Sequence, residues 1–283
     1  MKFYDKKIET MSRRSMRALQ LKRLKEIVAY AYSRVPFYKK KYDEAGVKPS
    51  DIKTLEDIRK LPYVTKADLR DNYPYGLLAV PLGDLARIHA SSGTSGKPTV
   101  VAYTKEDMED WTECVARLVV AAGGRSDDIV QICFGYGLFT GALGLHQGWE
   151  RIGAAVIPAS TGNSERQLML MKDLGATALV ATPSYALHLA EVMEKSGIKP
   201  EDLKLRVGMF GSEASSEEMH RELAEKLHLF PTDNYGLSEL IGPGVSGECE
   251  HKCGMHINED YFYPEIIDPT TLEPTHGSDY GEL

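Results

Sequence analysis

Only four of the 283 residues are cysteine, too few for a disulfide scaffold in a chain of this length. No run approaches the roughly 18 uninterrupted apolar residues of a membrane span. The opening stretch Met1–Lys7 is charged and lacks the apolar centre of a secretory signal, so the cytoplasm is the expected compartment. Positive charge is not in excess: Lys and Arg number 34 against 41 Asp and Glu, a net charge of −7. That balance sets nucleic-acid binding aside. No Gly-x-Gly-x2-Gly turn is present, which excludes a Rossmann dehydrogenase, and no Gly-x4-Gly-Lys-Ser/Thr loop of the P-loop kind. Sequence repeats and low-complexity tracts are absent as well.

What is present is a globular composition, 42% apolar and 27% charged, with room for one large or two ordinary domains. Leu21, Leu24, Ile27, Val28 and Ala31 recur at helical spacing, so residues 13–45 read as helix, interrupted near Pro36. Several prolines break up residues 47–85, where Thr65 and Asp68 stand close to capping-box spacing before a short helix at 66–71. From residue 86 the pattern sharpens. Strands are expected at 86–90, 99–103, 129–134, 154–158, 177–181, 205–210 and 230–235. Helices are expected from Thr104 to Gly123-Gly124 and at 140–152, 164–174, 184–196 and 216–228. Short apolar strands alternating with amphipathic helices imply an α/β fold with a mostly parallel sheet flanked by helices. After residue 236 the helical period stops, and residues 257–267 with the Asp268-Pro269 turn read as β structure.

Three segments carry chemistry. The first is Ser91-Ser92-Gly93-Thr94-Ser95-Gly96-Lys97, running on to Pro98-Thr99 between two strands. Small residues let a backbone bend close round an anion, with amides, hydroxyls and the Lys97 ammonium facing it. The bland alternative, a polar hairpin turn, seldom needs so much glycine and hydroxyl. The second is Gly211-Ser212-Glu213-Ala214, at the carboxyl end of strand 205–210, where open α/β sheets collect ligands. Alone it would be a routine turn, with Ser215 or Ser216 capping the next helix. The third is Asp233-Asn234-Tyr235-Gly236-Leu237-Ser238-Glu239, after another strand. Tyr235 can stack on a base and Glu239 can help hold Mg2+; alone, these would be a core tyrosine and a solvated glutamate.

Taken in order, these three segments resemble the core motifs of the adenylate-forming superfamily of acyl-CoA synthetases. Leu61-Pro62-Tyr63-Val64-Thr65-Lys66-Ala67-Asp68-Leu69-Arg70-Asp71-Asn72-Tyr73-Pro74, and Tyr235–Glu239 running into Gly242-Pro243-Gly244-Val245, are similar to the phenylacetate–CoA ligase family. The resemblance covers nearly the whole chain. It implies the large N-terminal domain of the adenylate-forming fold, ending in a β-rich segment. It also implies a soluble ligase using ATP, Mg2+ and coenzyme A. An aryl carboxylate, phenylacetate first, is adenylated with loss of pyrophosphate and then passed to the thiol of CoA. By that resemblance Thr94 and Ser95 contact phosphates, Gly211 to Glu213 flank adenine, Tyr235 packs against it and Glu239 faces Mg2+.

The acyl pocket is expected between the turn after strand 129–134 and the segments at 214 and 241–244. Tyr136 and Phe139 would form its walls, and Ala214, Ile241 and Pro243 would leave space for a flat ring. Plain core packing is the alternative for Tyr136 and Phe139, and Lys66 reads as a solvated lysine. The catalytic lysine of the family lies on a small C-terminal domain past Leu283, so weak turnover is expected of this chain, and its catalytic residue is unknown. Other aryl acids such as benzoate, a deazaflavin-adenylating ligase, and a non-catalytic nucleotide-binding module are the competing readings. Family members are often homodimers.

Cys249, His251, Cys253 and His256 form C-x-H-x-C-x2-H. Thiolate and imidazole are zinc's preferred ligands, so a structural Zn2+ held by these four is expected; a polar loop with incidental cysteines is the alternative. Three stretches follow from the whole reading: a helical segment at 1–85, an α/β nucleotide-binding core at 86–236, and a β-rich segment at 237–283.

Overall fold

The computed structural model describes residues 2–91, 97–271, 273–275 and 280–283. It opens with helices α1 (Lys6–Glu9), α2 (Arg13–Arg34) and α3 (Pro36–Glu44). Ser12 caps α2, and Pro36 starts α3 rather than bending a single helix, because proline at the first helical position loses no hydrogen bond. Helix α4 (Lys66–Asp71) carries the Thr65–Asp68 capping box, with both reciprocal bonds formed.

A hairpin of β1 (Arg87–Ala90) and β2 (Val100–Tyr103) stands apart as a two-stranded antiparallel sheet. It feeds α5 (Lys105–Ala121), capped by Thr104 and Asp107. The chain then alternates through β3 (Ile129–Ile132), α6 (Thr140–Arg151), β4 (Ala155–Ile157), α7 (Ser164–Asp173), β5 (Ala178–Ala181), α8 (Pro183–Lys195), β6 (Val207–Phe210) and α9 (Glu217–Leu227). It ends in β7 (Phe230–Leu237), β8 (Gly242–Glu248) and β9 (Met255–Ile257). The seven-stranded sheet has the order β4-β3-β5-β6-β7-β8-β9. Pairing is parallel from β4 through β7 and antiparallel from β7 through β9.

Strand alternation sorts the core into two layers. Val130, Ile132, Val180, Val207 and Met209 face α5 and α6, meeting Trp111, Val115, Leu145 and Trp149. Leu179, Ala181 and Phe210 face the opposite way, against Leu168 of α7, Leu189 of α8 and Leu223 of α9. Each of these fully buried large side chains contributes about 1.5–3 kcal/mol by leaving water. The expected parallel sheet flanked by helices is therefore present, with strand ends shifted by a residue or two.

The end of the chain differs from the expectation. Strand β8 reads Gly-Pro-Gly-Val-Ser-Gly-Glu, too poor in apolar side chains to show as a strand in sequence. It is nevertheless buried, because its small residues let α5 lie directly on it. Residues 257–267, expected as β structure, enter a strand only at Ile257; Ile267 makes isolated bridges to Pro274 and Glu282. What the intervening residues do instead is bind helices together. Asn258 Nδ2 donates to Cys114 O at 3.1 Å and to Gly244 O at 2.8 Å. Asp260 accepts from Arg117 at 2.8 Å and from Arg23 at 3.2 Å, and Gln20 Nε2 donates to Glu259 O at 2.8 Å. Among the described residues no helix is long and apolar enough to cross a membrane.

Candidate functional site

The loops at the carboxyl ends of β3, β5, β6 and β7 lie along one edge of the sheet, where the helix N-termini and loop amides of α/β folds receive ligands. At β6 the chain leaves through Gly211 into Ser212, whose φ of 69° is left-handed. Gly211 is required by its neighbour. A Cβ there would lie 2.7 Å from the carbonyl oxygen of Asn234 on the adjacent strand. Asn234 is buried and donates through Nδ2 to Phe210 O at 2.6 Å, so its side chain ties β7 to the end of β6. The next residue, Tyr235, presents its ring outward at 42% exposure. Gly211 and Tyr235 thus stand on adjacent strands, one leaving bare backbone and the other an exposed aromatic residue.

Glu213, expected beside adenine, caps its neighbouring helix: its carboxylate accepts from Ser184 N at 2.7 Å, at the start of α8. Ser216 is the cap of α9, and Ser215 is freed for another task. Its hydroxyl donates to Asp233, which also receives His220 Nε2 at 3.1 Å. Lys252 Nζ donates to His220 Nδ1 at 2.6 Å and to Glu248. A lysine ammonium can only donate, so the His220 proton sits on Nε2. This network joins the loop after β6 to β7 and β8. Nothing in the local sequence marks it, since its members are spread from Ser215 to Lys252.

Ser238 is buried, with Oγ 3.3 Å from Thr140 Oγ1. Glu239 follows, half-buried, and its carboxylate has no hydrogen-bond or ion-pair partner among the described residues. A half-buried carboxylate with no such partner among the described residues fits a hard, oxygen-seeking ion such as Mg2+.

The expected anion-binding bend is described only at its feet. Ser91 N donates to Thr99 O at 2.9 Å and Thr99 N to Ser91 Oγ at 2.9 Å, closing the neck. Lys97 is exposed, its Nζ 5.5 Å from the Tyr73 ring centroid. Ser92, Gly93, Thr94, Ser95 and Gly96 lie outside the described residues. Lys66 is exposed as the first residue of α4.

Of the expected acyl-pocket residues, four are tied into one neighbourhood. Tyr136 and Ile241 pack against the same core layer, and Phe139 tilts against Phe134 with centroids 6.4 Å apart. The Tyr136 hydroxyl is 3.0 Å from His146 Nδ1, and burial pushes its pKa up, so it stays protonated. Gly144 of α6 shows how tightly Pro243 is seated. A Cβ there would meet Trp111 at 2.4 Å and Pro243 at 2.7 Å. Ala214 remains exposed in the turn after β6.

The expected zinc tetrahedron is not assembled. No three of Cys249, His251, Cys253 and His256 bring ligand atoms within 4.8 Å of one another among the described residues. The turn bonds to itself instead: His251 N donates to Cys249 Sγ at 3.4 Å and Cys253 Sγ to His251 O at 3.2 Å. Cys249, His251 and His256 line a cavity of about 440 Å3 shared with α1, α2 and α5, and Cys253 does not. The described triad that does gather, His220, Asp233 and Glu248, already holds the Lys252 ammonium against two of its members.

A mostly parallel sheet covered by helices, with its loops converging where β6 and β7 end, is the large-domain fold of adenylate-forming ligases. The chain belongs to the AMP-binding enzyme family, whose model matches residues 15–283. It is 50% identical to the phenylacetate-coenzyme A ligase of Thermus thermophilus over 281 residues, 99% of this chain and 63% of that protein. It is 50% identical to the corresponding ligase of Pseudomonas putida over 277 residues, 98% of this chain and 63% of that one. Against the Escherichia coli ligase the identity is 49%, over 98% of this chain and 64% of its relative. Among solved structures, 2-hydroxyisobutyryl-CoA ligase in complex with 2-HIB-AMP and CoA superposes with a TM-score of 0.93. The identity is 29%, covering 99% of this chain and 61% of that one. The chain therefore spans somewhat under two thirds of the length of these relatives.

Proposed function

We propose that this chain supplies the nucleotide and acid subsites of an ATP-dependent, AMP-forming ligase that converts an aryl carboxylate, phenylacetate first, into its CoA thioester. The observation that carries this is the 50% identity to phenylacetate-coenzyme A ligases over nearly the whole chain. Adenine is assigned to the sheet edge beside Gly211 and Tyr235. The aryl ring is assigned to Tyr136, Phe139, Ile241 and Pro243, with Ala214 at the rim.

The chemical difficulty is that a carboxylate must approach a polyphosphate. A carboxylate oxygen forms a bond to the α-phosphorus and pyrophosphate leaves with the electron pair. The sulfur of CoA then attacks the acyl carbonyl and AMP leaves. Fixed positive charge and oriented donors lower both barriers, since they meet charge as it develops. Here Lys97 and the amides and hydroxyls of residues 91–96 are assigned to the phosphates. Glu239 would hold Mg2+, which when bound neutralises phosphate charge. The four residues Cys249 to His256 are given no zinc role. A cytoplasmic location and homodimeric state accord with the reading and are part of the proposal.

The test is calorimetric titration of the 283-residue chain with ATP and Mg2+, then with phenylacetate, benzoate and 2-hydroxyisobutyrate. The expected result is Mg2+-dependent nucleotide binding, lost about tenfold in Glu239→Gln, and a preference for phenylacetate among the acids. Nucleotide binding that is indifferent to both Mg2+ and Glu239→Gln would overturn the metal assignment. Preference for 2-hydroxyisobutyrate would overturn the substrate class.

A further inference from the structure

Three aromatic side chains outside the expected pocket hold its walls from behind. Tyr103, at the end of β2, donates its hydroxyl hydrogen to Ile241 O at 3.0 Å. Trp111, on α5, donates Nε1–H to Pro243 O at 2.7 Å. His89, on β1, donates Nδ1–H to Leu138 O at 2.8 Å, and Ala90 N reaches the same carbonyl at 2.9 Å. Each bond ends on a backbone carbonyl of one of the two segments that carry Phe139, Ile241 and Pro243. The three donors form one block. Tyr103 and Trp111 stack with centroids 4.9 Å apart, and His89 meets each edge-on at 5.8 Å.

The block is more polar than packing alone would require. His89 is 1% exposed, and its Nε2 has no hydrogen-bond partner among the described residues. An unsatisfied buried nitrogen is costly, and an apolar side chain of the same size would fill the space without that penalty. The imidazole is accounted for by what Nδ1 does at Leu138. Leu138 itself is 63% exposed, so its side chain cannot anchor the turn, and the backbone bond does. Trp111 is likewise fixed from two sides, its indole lying where a Cβ on Gly144 would fall.

Resting on the ligase reading above, we propose that His89, Tyr103 and Trp111 are positioning residues that set the width of the acid pocket. They would do so by fixing the Leu138, Ile241 and Pro243 carbonyls, and so the choice among aryl acids. They touch no reacting atom. A frame of this kind acts on selectivity, because one extra methylene in an apolar pocket discriminates only about 10–200-fold and is lost when a wall can yield.

The test uses Tyr103→Phe, Trp111→Phe and His89→Leu, each keeping bulk and losing one donor, with His89→Asn as the variant that restores an N–H. Calorimetry on the 283-residue chain measures phenylacetate, 3-phenylpropionate and ATP–Mg2+. The donor-deleted variants are expected to lose phenylacetate affinity about tenfold. They are also expected to narrow the ratio between the two acids and hold ATP affinity within about twofold, with His89→Asn recovering the wild-type ratio. An unchanged ratio, or an equal loss for acids and ATP, overturns the proposal while the ligase reading stands. If the wild-type chain binds neither acid, the ligase reading fails. Amide exchange over residues 137–142 and 238–242 then decides: faster exchange in the variants supports the framing role, and unchanged exchange overturns it.

Discussion

Asn234 and Gly211 are fitted to each other across neighbouring strands: the carbonyl of one lies 2.7 Å from where a side chain on the other would begin. The atom in the way is backbone, held in place by the 2.6 Å bond from Asn234 Nδ2 to Phe210 O, so it cannot swing aside. Gly211→Ala is therefore expected to part β6 from β7 at the strand ends and to destabilise the protein by about 1–3 kcal/mol. Nucleotide affinity should fall at least tenfold. Thermal unfolding and a nucleotide titration check this, and a variant with wild-type values for both would refute the fit.

Asp233 gives the protein an acid-sensitive limb. Burial works against its charged form, but hydrogen bonds from His220 and Ser215 and the nearby Lys252 ammonium prevail and hold its pKa below the ordinary carboxylate value. A carboxyl depressed on folding adds stability that is complete above its unfolded value of about 4 and disappears as pH falls through the folded value. Asp233→Asn is expected to cost about 1 kcal/mol at pH 7, with the deficit shrinking below about pH 4. Denaturant melts at pH 7, 4 and 3 measure it; a deficit constant across the three would count against the network.

The four cysteines divide by burial. Cys133 is held in the core, where burial pushes its thiol up to about 12, and Cys114 is buried and raised in the same way. Cys249 is half-buried and Cys253 exposed. A thiol reagent at pH 8 should find the two late cysteines quickly and the two early ones only after unfolding, since the thiolate is the reactive form. Four fast-reacting thiols in the native protein would contradict the core packing.

Arg117 and Asp260 form a buried ion pair, 2.8 Å apart, with side-chain exposures of 4% and 1%. Removing Asp260 leaves the buried Arg117 guanidinium with only Glu113 as its charged partner and takes a partner from Arg23. Asp260→Ala is expected to cost about 3–5 kcal/mol, and Glu259→Ala, whose Arg13 partner is exposed, less than about 1 kcal/mol. Equal losses in the two variants would show that the pair contributes through shape alone.

Much of this was legible in the sequence, and for physical reasons. The periodic helices and apolar strands from Arg87 to Tyr235 follow rules that act over a few residues, as does the Thr65–Asp68 cap. Gly211 and Tyr235 pointed to a ligand edge only through the order of the three motifs, since each alone reads as a routine turn or a core tyrosine. Strand β8 stayed hidden because its burial depends on α5, whose Trp111 lies more than a hundred residues earlier. The carbonyl bonds of His89, Tyr103 and Trp111 are hidden for the same reason, since each is set by tertiary placement. Cys249, His251, Cys253 and His256 suggested zinc by chemistry and spacing, yet spacing along a chain does not fix distance across a turn.

Helix α2 takes its seat from residues made far later: Arg13 pairs with Glu259 and Gln20 with the Glu259 carbonyl, separations of 246 and 239 along the chain. In a nascent polypeptide leaving the ribosome these contacts of α2 must therefore wait until residue 259 has emerged, while those to Tyr42 and Ile52 can form early. During synthesis, the exposed early segment is the part most in need of a chaperone's cover.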